Sequence, residues 1–306
     1  MTGKTTLRER DLARISIMNL AKKAKNDEFY TRYEDVEKEI ALYDQCIWKN
    51  KVVFCNCNDT VDSNFAVFFI KNFNKLRLKK LICIHYTGGL DLFGAGAKAY
   101  IFTKDGFEEK KDYPKNFTGS FDDPLSIKIL NEEADIVCTN PPFSKSADYW
   151  RLLIESGKKF LIISNITLAI HSQWISYFKQ NLIRAGHNRV DWFVAPKRQP
   201  VEAAGHWYTN LPTKKSHKKL KFVKLKEIPE KSKFIDNDGI LGVSDGYIPT
   251  DYKKQFSVSS RIILNGVLEC GYEVADAKEY IPCKNGKKQF SRCLIRKKKG
   301  EQSRNL

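Results

Sequence analysis

No stretch of about 18 consecutive apolar residues occurs in this chain, so no segment is expected to cross a membrane as a helix. The first residues, with Arg8, Glu9, Arg10, Asp11 and Arg14, carry no apolar signal core, and secretion is not expected. Cys-x-x-Cys is also missing. The eight cysteines include Cys55-x-Cys57 and the scattered Cys270, Cys283 and Cys293, none at metal-ligand spacing, so no metal site is expected. Cys55, Cys83 and Cys138 each sit in an apolar run, the usual setting of reduced thiols, and the expected compartment is the cytoplasm. Complete phosphate-binding glycine loops are lacking too. Gly3-Lys4-Thr5 has neither the first glycine nor a preceding strand, and Gly94-x-Gly96 has no third glycine and no helix after it. Acidic residues are in deficit. With 36 Asp and Glu against 53 Lys and Arg the formal net charge is +17, which favours a polyanionic partner, nucleic acid before an anionic membrane.

What is present alternates between strand-like and helix-like segments. Leu12–Lys25 and Tyr33–Tyr43 have helical patterning, the latter with acids leading and Val36, Ile40 and Tyr43 on one side. Short apolar runs at Lys51–Cys55, Lys80–Tyr86, Ile136–Cys138, Lys159–Ser164 and Val190–Ala195 read as buried strands. Helices are expected at Ser63–Phe73, Ile127–Asn131, Asp148–Glu155 and His171–Ala185, and a hairpin strand at Lys98–Thr103. Strands separated by helices, with no tight two-residue hairpin until late, imply a mostly parallel sheet with right-handed crossovers. His206–Leu211 and Leu220–Leu225 suggest an antiparallel pair at its end. Beyond about residue 226 the texture turns to Gly and Asp turns and basic clusters, which divides the chain into 1–226 and a smaller region 227–306. Arg296–Leu306 is expected to fray.

The most informative stretch is Asp135–Ser144, Asp-Ile-Val-Cys-Thr-Asn-Pro-Pro-Phe-Ser. Two prolines cannot donate to a sheet ladder, and Asn140 before a proline is pushed away from helical geometry. A stiff, extended turn at the carboxyl end of a strand is where open α/β sheets place ligands. There the Asn140 side-chain oxygen and the Pro141 carbonyl are two acceptors that can meet one amino group, with Pro142 fixing the turn and Phe143 offering a ring face. Asn-Pro-Pro-Phe at a strand end resembles the signature of methyltransferases that act on exocyclic amines of nucleobases, chiefly N6 of adenine. The plain alternative is a proline-rich turn with a buried Phe.

A methyl donor would have to sit beside that turn. The polar turn Asn56-Cys57-Asn58-Asp59 after the first strand is the natural place, with Phe29, Tyr30 and Thr31 packing against it and Tyr86 at the end of the next strand. Ser120, Phe121 and Asp122, just before the Asn140 strand, offer acceptors and a stacking ring for an adenine. The bland reading of the acids there is a helix start, with an Asp cap and Pro124 just inside. Basic residues that could meet a duplex are Lys197, Arg198, Lys214, Lys215, Lys218 and Lys219, with His206 and Trp207 nearby in sequence.

Taken together, these motifs resemble the EcoRI-type adenine-specific DNA methyltransferases along nearly the whole chain. The similarity runs through Asp27–Thr31, through Val52–Asp59 with Ser63-Asn64-Phe65, and through Ala134–Ser144. It continues in His206–Leu211, Ile248–Tyr252 and Asn285-Gly286-Lys287. Gly119-Ser120-Phe121 departs from the family's Gly-Asp-Phe, so the acceptor for the cofactor's adenine is expected at Asp122 or at the Ser120 hydroxyl. Phe256–Ser260 replaces a further family segment after Tyr252. The resemblance implies a Rossmann-like class I sheet, mostly parallel with an antiparallel end, and a C-terminal target-recognition region. It also implies S-adenosylmethionine as cofactor and double-stranded DNA as partner, with an adenine flipped out of the duplex. A restriction-modification role would add a cognate endonuclease sharing the site without a stable complex. RNA adenine methylation, N4-cytosine methylation and a non-catalytic nucleic-acid-binding protein on the same fold are the alternatives open at this point.

Overall fold

A computed structural model describes residues 30–57, 63–86, 97–110, 113–114, 116–142, 145–194, 200–213, 219–276, 280–284, 287–288 and 290–298. The expected helix Leu12–Lys25 lies outside them. The chain divides into two compact units, one of Met1–Ser164 with Asn188–Trp207, the other of Asn165–His187 with Tyr208–Leu306.

The main sheet is built from β1 (Tyr30–Thr31), β2 (Val52–Cys55), β3 (Lys80–Ile84), β4 (Ala99–Thr103), β5 (Gly106–Lys110), β6 (Ile136–Thr139), β7 (Lys159–Asn165), β8 (Arg184–Val194) and β9 (Pro200–Thr209). They are ordered β1-β8-β9-β7-β6-β2-β3-β4-β5. The centre, β7-β6-β2-β3, is parallel, and the pairs β3–β4, β4–β5 and β1–β8 are antiparallel. The sheet is therefore mixed rather than mostly parallel. All four residues of β2 and of β6 are buried, as strands covered on both faces must be.

Helices α1 (Tyr33–Ile40), α2 (Asn64–Leu76), α3 (Pro124–Glu132) and α4 (Ser146–Ser156) belong to the first unit, and α5 (Ser172–Lys179) and α6 (Ser260–Leu264) to the second. Local chemistry sets their ends. Ser63 caps α2 by accepting from the Ala66 N–H at 3.1 Å, and Asp123 caps α3 by accepting from Leu125 at 2.9 Å, with Pro124 as first helical residue. Gly157 in the left-handed region ends α4. Helix α2 buries Phe65, Phe68, Phe69, Ile70, Phe73 and Leu76, so its stability comes from packing rather than propensity.

The remaining strands are β10 (Lys221–Val223), β11 (Lys233–Ile235), β12 (Leu241–Val243), β13 (Tyr247–Pro249), β14 (Phe256–Val258), β15 (Tyr272–Val274), β16 (Cys283–Lys284), β17 (Lys287–Lys288) and β18 (Cys293–Lys297). Five of them form a second sheet, β11-β12-β14-β18-β15. Arg292, beside β18, braces it. Its guanidinium donates to Ser257 Oγ at 3.1 Å, to Ser257 O at 3.0 Å and to the Val243 carbonyl, and burial lowers its pKa to about 10.

Several sequence expectations need correcting. Helix α5 stops at Lys179, and Arg184 and Ala185 already belong to β8, because the exposed Gln180-Asn181-Leu182 turn, with Asn181 at positive φ, breaks the helix. A two-residue hairpin occurs early, with Lys104 and Asp105 joining β4 to β5. His206–Thr209 is the end of β9 in the main sheet, and β10 pairs in parallel with β13 instead of with it. Arg296 and Lys297 do not fray. They pair with β15, and Arg296 Nε meets Glu273 at 2.8 Å.

Candidate active site

The central observation is the register between β2 and β6. Val53 lies opposite Ile136 and Phe54 opposite Val137, in parallel. Both strands end on an asparagine-bearing turn, Asn56 after β2 and Asn140 after β6. Continuing the register sets the Asn56-Cys57 turn beside Asn140-Pro141 at the carboxyl edge of the parallel strands, where open α/β sheets place their ligands. Asn140 is half-buried with its Oδ1 shielded from solvent, Pro141 is buried and Pro142 exposed. The Pro142 carbonyl accepts from the Lys145 N–H at 3.0 Å, which ties the turn to the start of α4. Phe143 and Ser144 lie outside the described residues.

Asn56 is 1% exposed. Its Oδ1 accepts from the Tyr149 hydroxyl at 2.7 Å and lies 3.7 Å from the half-buried Cys57 Sγ, while its Nδ2 has no acceptor among the described residues. A buried donor left without an acceptor costs roughly 1–3 kcal/mol, and a hydrogen-bonding ligand beside this turn would supply one. Asp59 lies outside the described residues.

The second wall comes from the loop before α3. Ala97 N–H donates to Phe117 O at 3.0 Å, and Gly119, at φ +72°, presses against the His85 carbonyl so closely that a Cβ would lie 2.1 Å from that oxygen. Ser120 and Asp122 follow in the loop that Gly119 seats at the end of β3, and Tyr86, two residues beyond that strand, is half-buried. The Ser120 hydroxyl donates to Asp122 Oδ1, whose other oxygen lies 3.8 Å from Lys145 Nζ. Serine and acid, alternative acceptors in the sequence, form one pair. Asp123 does structural work, holding Thr118 N and Oγ1 at 3.1 Å as well as the α3 cap.

Two expectations fail on burial. Phe121 is 4% exposed, with its ring edge-on to Tyr149 at 4.9 Å and 86°, so it is part of the wall and not an open plate for stacking. His206 and Trp207 are 5% and 0% exposed, and Trp207 packs on Phe65 at 5.7 Å. Side chains enclosed in this way cannot touch a duplex. They belong to the sheet core. Lys197, Arg198, Lys214 and Lys215 lie outside the described residues, as does Phe29.

The N-terminal motif is drawn towards the same helix. Asn64, first residue of α2, donates its Nδ2 to the Thr31 carbonyl at 2.7 Å, and Thr31 is buried while Tyr30 is half-buried. Sequence reasoning missed Tyr149 and Lys145, and it gave Gly119 no role of its own. The only signal for Tyr149 was its place on the inward face of α4 with Ser146, Trp150 and Leu153.

The profile of the family described as adenine-specific methyltransferase EcoRI matches residues 17–265. The chain belongs to that family. The match spans both asparagine turns and the loop between them. The Type II methyltransferase M.EcoRI of Escherichia coli is 32% identical over 279 residues, covering 77% of this chain and 81% of its own length. M.MpnI, a Type II methyltransferase of Mycoplasma pneumoniae, is 43% identical over 169 residues, 55% of this chain, and the match spans only 50% of the length of that relative. Among the described residues no helix is long and apolar enough to cross a membrane, and no group of three or more His, Cys, Asp or Glu is placed to hold a metal ion.

Proposed function

We propose that this chain transfers a methyl group from S-adenosylmethionine to N6 of an adenine flipped out of duplex DNA, at one short sequence and in a restriction-modification setting. The observation that carries the reading is the β2–β6 register, which sets a buried turn with an unused donor beside a proline-stiffened turn rich in acceptors. The parallel centre β7-β6-β2-β3, with both turns at its carboxyl edge, supports a Rossmann-like class I sheet.

The residues assign themselves by chemistry. S-adenosylmethionine, when bound, supplies an electrophilic methyl on a sulfonium. Asn56, Cys57, Thr31 and Tyr30 would hold it from the β2 side, and Tyr86, Ser120 and Asp122 from the β3 side. The amine of adenine is a poor nucleophile because its lone pair is delocalised into the ring. Asn140 Oδ1 and the Pro141 carbonyl, accepting its two hydrogens, favour the pyramidal nitrogen and offset the positive charge that develops there. By analogy with oxyanion-hole donors, each such contact is worth about 2.7–4 kcal/mol at the transition state. No general base is needed before attack. Flipping the base costs a few kcal/mol, so duplex contacts must supply the difference.

For those contacts the C-terminal region 227–306, with the basic residues before it, is the proposed target-recognition part. A cleft of about 500 Å³ in the second unit supports this, lined by Lys219, Arg261, Ser244, Ser259, Asn265 and Asp245. It lies at the carboxyl ends of the parallel pair β12–β14, where Val243 faces Val258. Hydrogen bonds from Ser232 and Ser244 hold the Asp245 carboxyl below its usual range and engage it, which leaves the cations to face a phosphate. The double variant Lys219→Ala, Arg261→Ala should weaken duplex binding and lower the slope of log affinity against log salt by about 2. Fluorescence anisotropy across a salt series measures both, and an unchanged slope would remove the cleft from the DNA interface.

The deciding experiment is expression in a methylation-free host followed by mapping of modified bases. N6-methyladenine should appear at one short DNA sequence, with host RNA unmodified. Modified RNA with unmodified DNA would select the RNA reading, methylated cytosine the N4 one, and no transferred methyl at all a binding protein.

A further inference from the structure

We propose that Tyr149 is a positioning residue for the methyl donor, acting through Asn56. By donating to Asn56 Oδ1 it turns the amide so that Nδ2 is presented to an oxygen acceptor of the donor. The inference rests on the proposed use of S-adenosylmethionine and adds a residue that no motif pointed to.

The two ends of a carboxamide are nearly the same size, and packing alone does not choose between them. Hydrogen bonding does, because one end only accepts and the other only donates: the Tyr149 hydroxyl could serve either end, but a ligand acceptor facing Nδ2 leaves Oδ1 to take the hydroxyl proton. Here the Tyr149 hydroxyl lies 2.7 Å from Oδ1, and Nδ2 is shielded from solvent with no acceptor among the described residues. A flipped amide would set its own carbonyl oxygen against an oxygen of the ligand, lone pair to lone pair.

Tyr149 is itself held in place. It is 0% exposed, and the buried ring of Phe121 meets it edge-on at 4.9 Å. Phe121 stands on the loop that Gly119 seats against His85 O. Three elements, the β2 turn, helix α4 and the loop before α3, therefore converge on Tyr149. All three belong to the first unit. A hydrogen bond this enclosed is set before a ligand arrives, so the donor pays little to order it.

The test is calorimetric binding of S-adenosylhomocysteine to the full-length chain carrying Tyr149→Phe, Asn56→Ala or both. Tyr149→Phe keeps the ring against Phe121 and removes only the hydroxyl. It should weaken binding roughly five- to twentyfold. In the Asn56→Ala background the same change should alter affinity by less than about twofold, because its route of action is gone. Steady-state kinetics should show the KM for the donor rising while kcat at saturating donor stays within about twofold. A second probe, 5′-methylthioadenosine, lacks the amino-acid part. An equal loss with it assigns the acceptor to a ribose hydroxyl, and no loss assigns it to the carboxylate. If Tyr149→Phe lowers the melting temperature but not the affinity, or if the two substitutions multiply independently, Tyr149 is only structural and the proposal falls. Failure of the unmodified protein to bind S-adenosylhomocysteine would instead overturn the donor reading beneath it.

Discussion

Replacing Asn140 by alanine is expected to slow methyl transfer by roughly 10²–10³-fold, the loss of one contact that strengthens in the transition state. Affinity for S-adenosylhomocysteine should stay within about twofold, since the donor is held from the neighbouring strand. The fold should survive as well. Asn140 follows four buried residues of β6, and the strand's register with β2 and β7 is made by the backbone. Asn140→Asp, which keeps an acceptor oxygen, should fall between the two. Single-turnover transfer to a hemimethylated duplex, with donor and DNA both saturating, separates chemistry from binding. Turnover at the normal rate in Asn140→Ala would end the reading of this turn as the catalytic one.

The second large effect is expected at a glycine that carries no reacting group. Gly119→Ala would place a Cβ 2.1 Å from His85 O and 2.8 Å from the Ala97 Cβ, at a φ of +72° that side chains resist. Left-handed geometry costs about 1–2 kcal/mol for a residue with a Cβ, and overpacking adds about 1–3. The nearest neighbour is backbone, so relief requires moving the loop away from β3. Ser120, Phe121 and Asp122 would move with it, and through Phe121 the brace on Tyr149. Melting temperature should drop by several degrees, and cofactor affinity should fall more steeply than in an equally destabilised variant elsewhere in the core. A variant as stable as the parent, with unchanged affinity, would show that the loop does not form the second wall.

Much of this was legible in the residues because it is local. The apolar runs Lys51–Cys55, Lys80–Tyr86 and Ile136–Cys138 each became a strand of the sheet centre, Val52–Cys55, Lys80–Ile84 and Ile136–Thr139, the second ending two residues before the run does. The Asp123-Pro124 start of α3 and the Ser63 cap of α2 are side-chain chemistry acting within three residues. Errors came where a segment's surroundings outweighed its own pattern. His171–Ala185 has helical spacing throughout, but β8 takes its end. His206 and Trp207 look like surface recognition residues in a basic neighbourhood, yet β9 lies inside the sheet between β8 and β7 and buries them.

What the chain determines by itself is the set of turns at strand ends. Asn140-Pro141-Pro142 cannot continue a ladder whatever surrounds it, and Asn56-Cys57 stops β2 for want of apolar residues. Tertiary structure alone decides which turns become neighbours. Residues 56 and 149 are far apart along the chain, and so are 85 and 119. The first pair meets because α4 turns Tyr149 inward onto the β2 turn, which parallel pairing aligns with the end of β6, and the second because a glycine lets one loop lie against the backbone of another. Strand pairing and close backbone approach are cooperative properties of the whole sheet, so no local pattern records them.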